Sequence, residues 1–216
     1  MVKVYLIRHC ETMGNVNRIF QGCTDTEPSP YGLEQLELLA LRFRNVPLYK
    51  IYSSDLGRAV KTAQMLNQYH HVPHVELSAL REINVGRLDG MDWLKIPRLS
   101  PDFARLWNDE PHSLCAEGGE TMRQVYARMS GAFEEIVREN EGKTVAVVSH
   151  GCALRNLLCY CLNKPIEELN GVDFGSNTAV SLVEAENGRR KVVFQNDASH
   201  LPGVIPVHHK VTFQLQ

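Results

Sequence analysis

Two hydrophobic periods alternate along the chain. The first apolar run, Val2-Lys3-Val4-Tyr5-Leu6-Ile7, is rich in β-branched and aromatic residues, the pattern of a buried strand. The stretch from Thr24 to Gly32 holds two prolines and several turn formers, so it reads as a loop. A helix is predicted over about 32–44, with Leu33, Leu36, Leu39, Ala40 and Phe43 on one side. A strand follows at Lys50–Ser54, then a helix over 56–69 and a short extended piece at 75–77. From Gly119 to about Glu141, Met122, Val125, Met129, Phe133, Ile136 and Val137 recur at three- and four-residue spacing, marking a long amphipathic helix. Thr144–Ser149 is the clearest strand, and an apolar helix over 153–162 follows it. The final strands, 179–184 and 191–195, are joined by a turn at Asn187-Gly188. Strand and helix alternate for most of the length. The expected class is therefore α/β: a three-layer α/β/α sandwich with a mainly parallel sheet and an antiparallel edge from the terminal hairpin.

Composition narrows the class without naming the chemistry. The 216 residues are enough for a single domain with one sizeable core, or one core carrying a smaller inserted cap. A net charge of −2 gives no electrostatic reason to expect nucleic acid. No apolar stretch approaches the length of a membrane span, and Lys3 and Tyr5 do not suit a signal-peptide core, so no membrane partner is expected. Cysteines 10, 23, 115, 152, 159 and 161 are scattered, without a CxxC pair or zinc-ligand spacing. Reduced thiols and a cytoplasmic location are the expectation. Oligomeric state is not legible.

The chemistry gathers at strand ends. Arg8 and His9 stand directly behind the first strand, at the carboxyl edge where open α/β sheets place their ligand crevices. Arg58 lies one helical turn past the strand end Ser53-Ser54-Asp55, and His150 directly follows Thr144–Ser149. In a parallel sheet these ends share one edge, so two arginines and two histidines converge. Four cationic or donor groups around one pocket suit a phosphate dianion. Glu82, in Leu80-Arg81-Glu82-Ile83, is a fifth candidate. A carboxyl group beside a phosphate is kept protonated by the like charge and is able to act as an acid.

Together these pieces resemble the histidine phosphatase superfamily, the phosphoglycerate mutase-like proteins. The family's strand and RHGET stand here as Arg8-His9-Cys10-Glu11-Thr12, followed by Asn15, and its Gln-Gly as Gln21-Gly22. Its serine-rich strand end and arginine helix match Ser53-Ser54-Asp55-Leu56-Gly57-Arg58-Ala59 with Thr62-Ala63. The acid-bearing segment is Leu80–Gly86, the second histidine lies in Val148-Ser149-His150-Gly151, and Gly118-Gly119-Glu120-Thr121 fits a helix start. The resemblance implies that His9 is a nucleophile forming a phosphohistidine, and that Arg8, Arg58 and His150 hold the phosphoryl oxygens. It further implies that Asn15, Gln21, Gly22 and Gly151 line the pocket and that Glu82 serves as general acid and then base. No metal and no cofactor are implied, and the partner is a small phosphorylated metabolite. Cys10 departs from the family's glycine. It is read either as a small inert residue or as a thiol acidified by nearby cations.

The segment at about 90–119 is expected to form a small helical cap over the site and to decide between hydrolysis and mutase transfer. Lys95, Arg98 and Arg105 stand there against Asp92, Asp102, Asp109, Glu110 and Glu117, a net of −2 (three minus five). That is a poor place for a second phosphate, so a phosphatase is favoured over a cofactor-dependent phosphoglycerate mutase. Trp93 and Trp107 either form an apolar lid over a carbon-rich leaving group or simply pack the cap down. A non-catalytic phosphate-binding module is the least favoured reading, because His9, Glu82 and His150 are all present. His70, His71 and His74 look like an exposed helix end rather than a metal site, as do His208 and His209 near the carboxyl terminus. Cys159 and Cys161, two apart in a helix, are read as core filler.

Overall fold

Val4 and Leu6 pack on one side of the first strand and Ile7 on the other, and the same alternation sorts the core into two layers. The computed structural model describes residues 1–203 and 212–214. In chain order the elements are β1 (Val2–Arg8), α1 (Met13–Val16), β2 (Ile19–Phe20), α2 (Pro30–Phe43), β3 (Lys50–Ser53) and α3 (Gly57–Leu66). They continue with β4 (His74–Glu76), β5 (Met91–Asp92), α4 (Ile96–Leu99), α5 (Pro101–Asp109) and α6 (Met122–Glu139). β6 (Thr144–Ser149), α7 (Gly151–Cys161), β7 (Val180–Glu186) and β8 (Arg189–Asp197) complete the set.

The sheet runs β4-β3-β6-β1-β7-β8. Its first four strands are parallel, with Arg8 opposite Ser149 and Ile51 opposite Ala146. β7 is antiparallel to β1 and β8 to β7, which is the expected antiparallel edge. On one face α2 and α3 pack Leu39, Phe43, Ala59, Ala63 and Leu66 against Ile7, Ile51, Ala146 and Val148. On the other face α6 and α7 bury Val125, Met129, Phe133 and Leu157 against Val4, Leu6, Val145 and Val147. These are the three layers expected, matched to the two-residue period of the strands.

The ends of elements follow local chemistry rather than the apolar pattern. α2 begins at Pro30 because the Ser29 hydroxyl accepts from the Gly32 N–H (2.9 Å) and proline suits the first turn. α6 begins at Met122, where Thr121 and Gln124 form a capping box. α3 stops at Leu66 and passes into a single 3₁₀ turn, short of the expected 69. Asn187 and Gly188 both take positive φ (51° and 73°), as a two-residue hairpin turn requires. The histidine cluster needs correction. His74 opens β4, and its Nε2 lies 2.8 Å from the Ser53 hydroxyl, so it belongs to the sheet rather than an exposed helix end. His208 and His209 lie outside the described residues.

Between β4 and α6 the chain crosses the carboxyl edge of the sheet. β5 pairs with β2 in a separate two-stranded ribbon, and α4 and α5 follow. Among the described residues no helix is long and apolar enough to cross a membrane.

Candidate active site

β3, β6 and β1 are parallel neighbours, so their carboxyl ends lie side by side. Arg8 is the last residue of β1, and the His9 N–H donates to the Ser149 carbonyl (2.9 Å), fixing it beside the end of β6. His150 stands between β6 and α7, and Arg58 is in the first turn of α3, just past β3. Arg8, His9, Arg58, Glu82, Asn15, Gln21, Gly22 and Gly151 all line one cavity of about 270 Å³. The His150 ring is buried directly beneath, its centre 5.2 Å from that of His9. The geometry therefore brings together the residues that the sequence singled out.

The two imidazoles carry their protons on opposite nitrogens. His9 Nδ1 lies 2.7 Å from the Cys10 carbonyl, which only accepts, so Nδ1 holds the hydrogen and Nε2 keeps its lone pair. Arg58 Nε donates to His150 Nδ1 (3.2 Å), so the His150 hydrogen is on Nε2. Both rings have pKa values held well below the ordinary histidine value, first by burial and then by the Arg58 guanidinium. Both are neutral at pH 7, one with an available lone pair and one with an available donor.

The cations are anchored from behind. Arg58 is 2% exposed and donates to the Asp25 carboxylate (2.8 Å), the Thr24 carbonyl (2.8 Å) and the Gly22 carbonyl (2.7 Å). Asp25 also accepts from the Gly57 N–H (2.6 Å), pinning the first turn of α3. Arg8 donates to the Gly175 carbonyl (2.7 Å). Burial lowers its pKa and Glu82 opposes the shift, and a guanidinium remains charged throughout. Arg8 Nε and His150 Nε2 are buried with no partner among the described residues. An unmet buried donor costs about 1–3 kcal/mol, and an anion seated here would relieve both.

Glu82 sits at the amino end of α7. Its carboxylate accepts from the N–H groups of Cys152 (3.0 Å), Ala153 (3.0 Å) and Ile83 (2.9 Å), replacing the side-chain cap that His150 does not supply. The segment carrying it is held by Arg128 of α6, which donates to the carbonyls of Ala79 (3.0 Å), Arg81 (2.7 Å) and Glu82 (3.1 Å) and pairs with Glu120. Gln21 accepts from Thr12 (3.0 Å) and Thr26 (2.8 Å), and Asn15 closes the capping box of α1. Gly22 has φ +45°, and a Cβ there would meet Asp89 Oδ1 at 2.9 Å. A Cβ on Gly151 would press on Arg8 Cζ at 3.3 Å.

Cys10 is fully buried, its N–H donating to Thr62 Oγ1 (3.1 Å), and burial raises its pKa. The inert reading holds, and the acidified-thiol alternative does not. Trp93 and Trp107 line the cavity and also pack with Phe20, Phe103 and Phe213. Among the described residues, five that line the cavity escaped the sequence reading: Arg18, Ile19, Phe20, Cys152 and Phe174. Arg18 to Phe20 stand just before Gln21-Gly22, and Cys152 is the second residue of α7, so proximity to a motif was their only signal. Phe174 had none, since it comes from the loop before β7. Among the described residues no three His, Cys, Asp or Glu side chains are grouped as a metal site would need.

Comparison with known proteins gives a consistent result. The family model for the histidine phosphatase superfamily (branch 1) matches residues 4–198. Phosphoserine phosphatase 1 of Hydrogenobacter thermophilus is 31% identical over 211 residues, 97% of this chain and 99% of that protein. A probable phosphoglycerate mutase GpmB of Yersinia pestis is 35% identical over 170 residues, 76% of this chain and 77% of the relative. Among solved structures, Bacillus stearothermophilus YhfR superposes with a TM-score of 0.89 at 31% identity, covering 93% of this chain and 99% of its own.

Proposed function

Because this chain belongs to the histidine phosphatase superfamily and is a phosphatase, we propose that it hydrolyses a small phosphomonoester through a phosphohistidine on His9. The carrying observation is the pair of tautomers: a neutral His9 with Nε2 unprotonated, beside buried donors on Arg8 and His150 that lack a partner among the described residues. His9 Nε2 attacks phosphorus as the bond to the leaving oxygen breaks, and Glu82 delivers a proton to that oxygen. Water then attacks the phosphohistidine, Glu82 takes its proton, the N–P bond breaks, and inorganic phosphate leaves with His9 restored. Arg8, Arg58 and His150 hold the equatorial oxygens through both steps. Phosphoryl transfer depends mainly on positioning and charge stabilisation, and the anchored cations supply both without rearrangement. Asn15, Gln21, Gly22 and Gly151 shape the phosphate cradle.

Mutase chemistry would require donors for a second phosphate. Above the base, the described part of the cavity wall is mostly aromatic, and among the described residues it contributes a single cation, Arg18. Hydrolysis is therefore favoured over transfer. Wild-type protein should release phosphate from p-nitrophenyl phosphate with chelator present and acquire label from a radioactive phosphoester. His9→Ala should lose both, and an active His9→Ala protein would overturn the mechanism. Incubation with 3-phosphoglycerate and trace 2,3-bisphosphoglycerate should yield phosphate rather than the 2-isomer.

A further inference from the structure

Among the described residues, Arg18 is the one cavity-lining cation without an assigned task. Arg8 and Arg58 are held at the base by carbonyls and a carboxylate. The Arg18 guanidinium, by contrast, has no hydrogen-bond or ion-pair partner among the described residues, and the residue is exposed at the cavity mouth. Its backbone is nevertheless fixed. The N–H donates to the Asn15 carbonyl (3.2 Å) and the carbonyl accepts from the Trp93 N–H (2.8 Å), stitching the start of the cap to this position. φ at Arg18 is +55°, a conformation that side-chain-bearing residues seldom adopt and that surrounding structure must impose. The strain sets the direction in which a long cationic side chain leaves the backbone. Between the base and Arg18 the walls are Phe20, Trp93, Trp107 and Phe174.

We propose that Arg18 determines specificity by pairing with a carboxylate on the leaving group, so that preferred substrates are small phosphomonoesters bearing a carboxylate. This rests on the phosphatase reading above. The planar fork of a guanidinium matches a carboxylate with two parallel hydrogen bonds. A second phosphate dianion would need several donors, as the base provides for the first. Near Arg18, Lys95 lies 3.9 Å from Asp92, a neighbouring carboxylate that offsets its charge. One unsupported fork at the far end of a cavity with aromatic walls fits a single charge of −1 carried on a short carbon frame. The phosphoryl group at the base and the carboxylate at the mouth would together orient the ester with its bridging oxygen toward Glu82.

The test compares kcat/KM of the full chain on paired esters. In each pair the carboxylate is replaced by hydrogen or hydroxymethyl: phosphoserine against phosphoethanolamine, 3-phosphoglycerate against glycerol 3-phosphate, and 4-carboxyphenyl phosphate against phenyl phosphate. Wild type should favour the carboxylated member of at least one pair by about tenfold or more, mainly through KM, the size expected for a charge-assisted contact. R18Q should remove that preference. R18K, which keeps the charge but loses the fork, should retain part of it and guards against a folding defect in R18Q. The assignment is overturned if wild type shows no preference in any pair, or if both variants lower the two members of each pair equally. Failure of wild type to hydrolyse any ester, p-nitrophenyl phosphate included, would instead sink the phosphatase reading and this proposal with it.

Discussion

His9 and His150 have the same side chain and nearly the same burial, yet their protons are assigned to opposite nitrogens by one neighbour each: a carbonyl for His9 and a guanidinium N–H for His150. Arg58 is thus both a cavity-lining cation and the group that fixes the His150 tautomer. Its own orientation depends on Asp25, a residue that sequence reasoning passed over as part of a loop. Asp25→Asn should leave the fold intact, because Asp25 is 38% exposed and Arg58 keeps two carbonyl acceptors. It should lower kcat/KM on p-nitrophenyl phosphate by about tenfold or more, since small misplacements of a positioned group are costly in rate. Steady-state kinetics with a melting curve checks this, and unchanged activity would remove Asp25 from the positioning set. Arg8, His9, Arg58, Glu82 and His150 were visible in the chain because each adjoins a strand end or a motif. Asp25 and Phe174 were not, because their relation to the site is a distance in space with no period or spacing to announce it.

At the scale of elements, the site is a consequence of strand order. β6 lies between β3 and β1, so three carboxyl ends, separated by up to about 140 residues of chain, deliver Arg58, His150 and Arg8-His9 to one edge. The alternation of strands and helices made that edge predictable, although the neighbour order was not. Glu82 arrives by a different device, a loop clamped between the amino end of α7 and Arg128 on α6. Arg128→Met should free this loop, leaving three carbonyls and Glu120 without their shared donor. We expect a loss of about 2 kcal/mol, roughly 4–8 °C in Tm for a chain of this size, and a fall in kcat larger than the change in KM. Thermal denaturation and kinetics on one preparation test it. A melting shift with unaltered kcat would show that the clamp serves stability alone.

At the scale of the whole molecule, burying two neutral imidazoles among cations links stability to pH. Their folded pKa values lie well below the ordinary value of about 6.5. The unfolded chain therefore binds protons in this range that the folded one refuses. The contribution is fully present above about pH 6.5 and is lost as pH falls, at up to about 1.4 kcal/mol per pH unit for each histidine. Tm should decline from pH 6.5 toward 5, and a His9→Gln/His150→Gln double variant should decline less steeply. Parallel slopes would contradict the burial of neutral rings. At the same scale, aromatic contacts join the segment after β5 to the rest of the chain. Phe20 from β2, Trp93 and Trp107 from the segment after β5, Phe174 before β7 and Phe213 near the carboxyl terminus meet in one aromatic cluster over the cavity.

The chain by itself determined the α/β class, the sheet edge where the candidate site lies and the five polar groups, Arg8, His9, Arg58, Glu82 and His150, that gather there. Hydrophobic period and motif spacing are local properties, and short strands ending in polar residues record them directly. Tertiary structure alone decided which nitrogen of each histidine is free, what holds Arg58 and Glu82 in place, and that Arg18 faces the cavity without a side-chain partner among the described residues. Tautomers, anchors and unpaired charges depend on which atoms stand within about 3 Å of one another, and those distances exist only once the segments have packed.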